Sequence, residues 1–125
     1  MENRARTVLH VSPDRELAGS RGRVLKAIGC EVFWVKSESA ALFEIGMGRC
    51  GILLLCHKLS PAARESLADC FHAKCPEPFI VAILAHEGDH CPPRAHARVL
   101  FRADHGALAP ILRQRLAAVT PQLPP

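Results

Sequence analysis

The sequence contains no tyrosine, and aromatic residues fill only 5% of its 125 positions. Lys and Arg outnumber Asp and Glu by sixteen to twelve, a net charge of +4, yet the arginines are scattered. Chains that bind single strands interleave stacking rings with a basic groove, so this composition points away from nucleic acid. No apolar stretch approaches the ~20 residues that a membrane span needs. No CxxC pair occurs, because Cys70 and Cys75 are too widely spaced to form one. A linker and an internal repeat are missing too.

What is present suits one compact unit. Hydrophobic residues make up 49% of the chain, enough for a core without staples. The expected organisation is a single domain over 1–125, with its core at about 7–119 and a proline-rich tail at 120–125. The charged start, Met1 to Arg6, leads straight into a strand-like run and does not read as a signal peptide. The expected compartment is therefore the cytosol, and the six cysteines are expected to be reduced and mostly buried.

The strongest local signal is Gly51-Ile52-Leu53-Leu54-Leu55-Cys56. An aliphatic run without alternation is the pattern of a strand buried on both faces of a parallel sheet. Phe79 to Leu84 repeats it. Thr7-Val8-Leu9-His10-Val11, Glu31 to Val35 and Arg98 to Phe101 complete five strands. Between them fall helical stretches. The first opens at Ser12-Pro13, Ser as cap and Pro as first helical residue, and carries Leu17, Val24, Leu25 and Ile28 on one face. Arg21, Arg23 and Lys26 read as its wet face. Others run from Ser37 to Gly48 with Ala41, Leu42 and Ile45 inward, from Ser60-Pro61 through Phe71, and from Pro110 to Val119. Strands alternating with helices predict right-handed crossovers and an α/β parallel sheet covered on both sides. Chemistry in such sheets sits beyond the carboxyl ends of the strands, where Cys56 stands.

Gly29-Cys30-Glu31-Val32, Ser37 to Gly48, Gly51 to Cys56 and Lys58-Leu59-Ser60-Pro61 together resemble the receiver domain of bacterial response regulators. The resemblance spans about residues 7–119. It implies a flavodoxin-like, doubly wound five-stranded sheet of order 2-1-3-4-5. The short stretch between Leu84 and Arg102 implies a fourth helix that is cut down or missing. Receivers carry two acids after strand one, a phosphoacceptor Asp after strand three, a hydroxyl after strand four and a Lys near strand five. The matching positions here are Ser12 and Pro13 with Asp14 beside them, then Cys56, Leu84 and Arg102. Aspartyl phosphorylation needs a carboxylate nucleophile and Mg²⁺ held by hard oxygen ligands. A thiol, a lone hydroxyl, a proline and a leucine do not supply these. The expectation is a pseudo-receiver: a non-catalytic protein-interaction module of signal transduction, related to phosphorelays, with no cofactor.

Its partner is expected to be a protein, with a second copy as one option, and neither nucleic acid nor membrane. The resemblance places the contact surface at about Pro93 to Val119, with Val99, Phe101 and Leu108 partly exposed. The alternative reading makes Cys56 a thiol redox sensor or the nucleophile of a small cysteine enzyme, with Lys58 and Arg102 as nearby cations; His57 is expected to point away from it. His86, His90, Cys91 and His96 share one polar segment and raise the question of zinc. Gly88 and Pro92-Pro93 argue against a helix there, and the segment reads as a solvated loop. His10 reads as a buried or edge histidine.

Overall fold

The computed structural model describes residues 4–119, so the expected tail at 120–125 lies outside the described residues. A short 3-10 turn, Arg4–Arg6, precedes β1 (Thr7–Val11), α1 (Arg15–Ala27), β2 (Glu31–Val35), α2 (Glu38–Met47) and β3 (Ile52–Leu55). Next come α3 (Pro61–Lys74), β4 (Phe79–Leu84), β5 (Ala97–Leu100) and α4 (Leu108–Val119). All strand pairs are parallel, in the order β2-β1-β3-β4-β5. Four helices cover the two faces, the arrangement of the CheY-like flavodoxin fold.

The aliphatic run earns its central place by alternation. Ile52 and Leu54 pack on one face with Leu25 of α1 and Leu108, Leu112 and Leu116 of α4. Leu53 and Leu55 pack on the other with Ala41 and Ile45 of α2 and Leu67, Ala68 and Phe71 of α3. With β1 and β4 on its flanks, β3 has no free edge and every side chain in it is buried. Fully burying one such leucine contributes roughly 1.5–3 kcal/mol. Gly51 sets the strand's entry: its N–H donates to the carbonyls of Arg4 (2.8 Å) and Thr7 (3.1 Å). A Cβ at this position would lie 2.6 Å from the Arg4 carbonyl oxygen.

Helix ends follow the sequence signals in two cases. Ser37 accepts from Ala40 N–H and Ser60 from Ala63 N–H, with Pro61 opening α3. Helix α1 departs from expectation. Ser12 still belongs to the sheet edge, donating its N–H to the Val35 carbonyl (3.0 Å), and Asp14 is the cap. Helix α4 starts at Leu108, ahead of Pro110, and β5 sits one residue earlier than the pattern predicts.

The β4–β5 crossover contains no helix among the described residues. His96 anchors its end by donating its N–H to the Ile80 carbonyl (2.8 Å) and accepting the Ile80 N–H at Nδ1 (3.0 Å). Burial corrects part of the expected contact surface: Val99 and Leu108 are buried, while Phe101 is partly exposed as expected. Large exposed apolar side chains gather on α2 instead, where Phe43 is 66% exposed beside Leu42 and Met47, so Leu42 does not face in.

Candidate functional site

At the carboxyl edge, β1 and β3 end side by side, with Cys56 N–H donating to the Val11 carbonyl (3.1 Å). Cys56 is fully buried, and its Sγ accepts the Lys58 N–H at 3.5 Å. Ser12 is buried too; its carbonyl accepts the Trp34 indole N–H (3.0 Å), and its hydroxyl turns back on the Asp14 backbone. Pro13 is exposed. Asp14 has no oxygen to spare: Oδ1 accepts the Leu17 N–H (3.0 Å) and Oδ2 meets Lys58 Nζ (2.6 Å). The Lys58 hydrogen bond, then the Leu17 N–H, hold the Asp14 carboxyl below its ordinary value, and the same pair raises Lys58.

Leu84 is buried, with its carbonyl accepting the Phe101 N–H (2.7 Å). The side chain that β5 sends into the site is Phe101, whereas Arg102 is exposed. The His57 ring stacks on Phe101 with centroids 4.4 Å apart, and the His105 ring, tilted at 59°, lies 6.1 Å from Phe101. His57 Nδ1 is 4.0 Å from Cys56 Sγ, so the imidazole lies toward the thiol and does not point away from it.

Beneath this stack lies the group that the sequence reading assigned to solvent. Arg21 is fully buried. Its Nη1 donates to His10 Nε2 (3.2 Å) and its Nη2 to His57 Nδ1 (3.2 Å), while the guanidinium carbon stands 5.8 Å from the Phe101 ring centre. A guanidinium only donates, so both imidazoles must accept, which fixes the proton on His10 Nδ1 and His57 Nε2. Buried charges are usually paired with an opposite charge; this one rests on neutral rings. Arg21 Nε and His10 Nδ1 are buried without a hydrogen-bond partner, each costing roughly 1–3 kcal/mol. Burial, then Arg21 and His105, push His10 down to about 3. Burial followed by the charges of Arg21, Lys58 and Arg64 also lowers His57, and burial with Arg21 lowers His105.

Arg64 of α3 is another buried cation at this edge, with Nη1 donating to the Ile83 carbonyl (3.3 Å). Three cations, Arg21, Lys58 and Arg64, therefore face His57, and the nearby carboxylate of Asp14 is already engaged by Lys58. A Mg²⁺ ion needs hard oxygen ligands in near-octahedral array. Ser12, Pro13, Asp14 and Cys56 do not fit that ion.

The histidine-rich segment disperses. His90 pairs with Glu65 (3.1 Å), His96 serves the Ile80 backbone, Cys91 faces the Pro92 carbonyl, and His86 N–H bonds Asp89. Among the described residues, no three His, Cys, Asp or Glu side chains form a group able to hold a metal. A surface cleft of about 680 Å³ runs along α3 past Glu65, Asp69 and His90 and is not lined by Cys56 or Arg21. No helix among the described residues is long and apolar enough to cross a membrane.

Sequence reasoning missed the cluster of Arg21, His57, Phe101 and His105, in which Arg21 and His105 are buried and His57 and Phe101 half-buried. A signal existed for Arg21: it lies four residues after Leu17 and four before Leu25, inside the apolar stripe. His10 carried one as well, sharing strand parity with Val8. His105 carried none, since its burial follows from a backbone turn at φ 56° before α4.

No family model matches the sequence, and no curated protein matches it. Solved structures do. The chain is similar to response regulator protein TrrA from Thermotoga maritima, in complex with Mg²⁺ and BeF, at 15% identity and a TM-score of 0.77 over 93% of this chain and 100% of that one. It is similar to a CheY-like receiver domain from Methylobacillus flagellatus at 17% identity and a TM-score of 0.77, covering 88% and 98% of the two chains. A third structure shows histidine kinase ThkA in complex with TrrA, at 16% identity, a TM-score of 0.75 and coverage of 93% and 99%.

Proposed function

We propose that this chain is a pseudo-receiver: a non-catalytic protein-interaction module in signal transduction that aspartyl phosphorylation does not switch. The single observation behind this reading is the plugged carboxyl edge. The thiol of Cys56 occupies the phosphoacceptor position, fully buried, with the stacked His57 and Phe101 beside it. Ser12, Pro13 and Asp14 stand in for the acidic pocket, Leu84 for the hydroxyl and Arg102 for the lysine, and none supplies what phosphate chemistry needs. The fold shared with TrrA, which is solved with a histidine kinase, supports a protein partner within a phosphorelay-related pathway. Phe43, Met47 and Leu42 on α2 give such a module an apolar contact face, for a partner or for a second copy.

Incubation with acetyl phosphate and Mg²⁺ followed by intact-mass measurement tests the reading. The expected spectrum is that of the unmodified chain, and a stable phosphoryl adduct overturns the proposal. The Lys58 N–H aimed at Cys56 Sγ favours a second reading, a thiol redox sensor. Peroxide treatment of the wild type and Cys56→Ser with mass readout separates the two: oxidation centred on Cys56 selects the sensor.

A further inference from the structure

We propose that Arg21, His10 and His57 form a proton-operated latch, closed when both imidazoles are neutral and opened when His57 takes up a proton. The warrant is the direction of the hydrogen bonds. Arg21 donates to both rings at 3.2 Å and has nothing to accept with. A proton on His57 Nδ1 replaces the acceptor by a donor and sets imidazolium against guanidinium. The contact that ties α1 to the end of β3 then turns from attractive to repulsive.

His57 is the moving part for geometric reasons. His10 is locked inside β1, fully buried between two neighbouring strands, and has no route to solvent. His57 begins the loop after β3 and is partly exposed, so its ring has a path outward. The groups facing it leave its charged form poorly supported: Arg21 on α1, Lys58 on its own loop and Arg64 on α3 repel it, and only Asp14 at the start of α1 attracts it. His105 and Asp104, from the turn before α4, complete the titratable groups around Arg21. Burial and these cations put the transition below the ordinary imidazole value, so the latch is closed at neutral pH and opens on acidification. Two consequences follow from the departure of His57. The stack on Phe101 is lost, freeing the link between β3 and β5, and the thiol of Cys56 loses its neighbour at 4.0 Å. A pH change thus becomes a local rearrangement at the edge where receivers are switched by phosphate.

Cys56 provides the readout. The folded protein is labelled with 4,4′-dithiodipyridine, which reacts in acid, and each cysteine is followed by peptide mass. Rates are divided by those of the same thiol in the unfolded chain at the same pH. Cys50, buried in the core on the α2/α3 face, reports global unfolding. Between about pH 7.5 and about pH 5, Cys56 protection is expected to fall about tenfold or more beyond the fall at Cys50, which follows global stability alone. His57→Gln, which keeps an acceptor and does not titrate, is expected to abolish this excess at Cys56. Unchanged Cys56 protection overturns the latch, and so does a loss at Cys56 no larger than the loss at Cys50. Should His57→Gln fail to fold, ¹⁵N imidazole NMR of the wild type decides: His57 must titrate in step with Cys56 exposure, and titration out of step refutes the proposal.

Discussion

Acid should weaken this protein through His10 before any carboxylate is involved. His10 falls from an ordinary 6.5 to about 3, chiefly because burial opposes its charged form. A base held neutral in the folded state adds stability that is complete above the unfolded value and is lost as pH drops below it, because only the unfolded chain takes the proton. At pH 4.5 the unfolded histidine has been protonated through about two pH units and the folded one has not. At about 1.36 kcal/mol per unit, His10 alone then removes about 2.7 kcal/mol relative to pH 7.5. Against a total stability of about 5–15 kcal/mol this is a large fraction. Urea unfolding followed by the fluorescence of Trp34, the only tryptophan, measures it. With m of about 1–3 kcal/mol per M, the midpoint should drop by about 1–3 M on His10's account. His10→Gln supplies the comparison, since an amide oxygen accepts from Arg21 and does not titrate. Asp14, also lowered, acts in the same direction only further down, below its ordinary 3.8, so it leaves pH 4.5 nearly untouched. Equal losses in wild type and His10→Gln would refute the reasoning, because they would mean that the buried ring is not kept neutral by folding.

Two further outcomes probe the frame of the site. Gly51→Ala places a Cβ 2.6 Å from the Arg4 carbonyl oxygen, and the crowding should cost about 1–3 kcal/mol in equilibrium denaturation. Ser60→Ala removes the hydroxyl that accepts the Ala63 N–H at 3.1 Å, and should lower stability by about 1 kcal/mol with no change in the pH response of Cys56.

The parts of this molecule that were legible in the sequence are those whose environment is set locally. Leu53 to Leu55 and Phe79 to Leu84 are uninterrupted because both faces are covered, and that alone identifies them. Ser37 and Ser60-Pro61 cap helices through bonds to residues three positions on. Arg21 was illegible for the opposite reason: what buries it is a ring from β1, a loop residue after β3 and Phe101 from β5, all distant in sequence. The one-residue offset of β5 decided the rest. With Leu100 paired to Leu84, the strand ends one residue before Phe101, whose ring meets His57, and Arg102 is exposed. At the start of α1 the same competition appears. Ser12 remains hydrogen-bonded to β2, and the cap passes to Asp14.

The helix-free crossover between β4 and β5 divides the molecule in time as well as in space. Residues 85–96 reach β5 through turns, with His96 standing in for a strand neighbour of Ile80. β5 is an edge strand paired only with β4, and α4 follows it directly in the chain. Contacts of β5, held in the sheet by β4 alone, are expected to open ahead of those of the central strand. Phe101 and His105 follow β5 directly. Phe101, just past β5, completes the cover beside Cys56 and His57, so the opening of that cover is set by the β5 end of the sheet and not by the central strand beneath it.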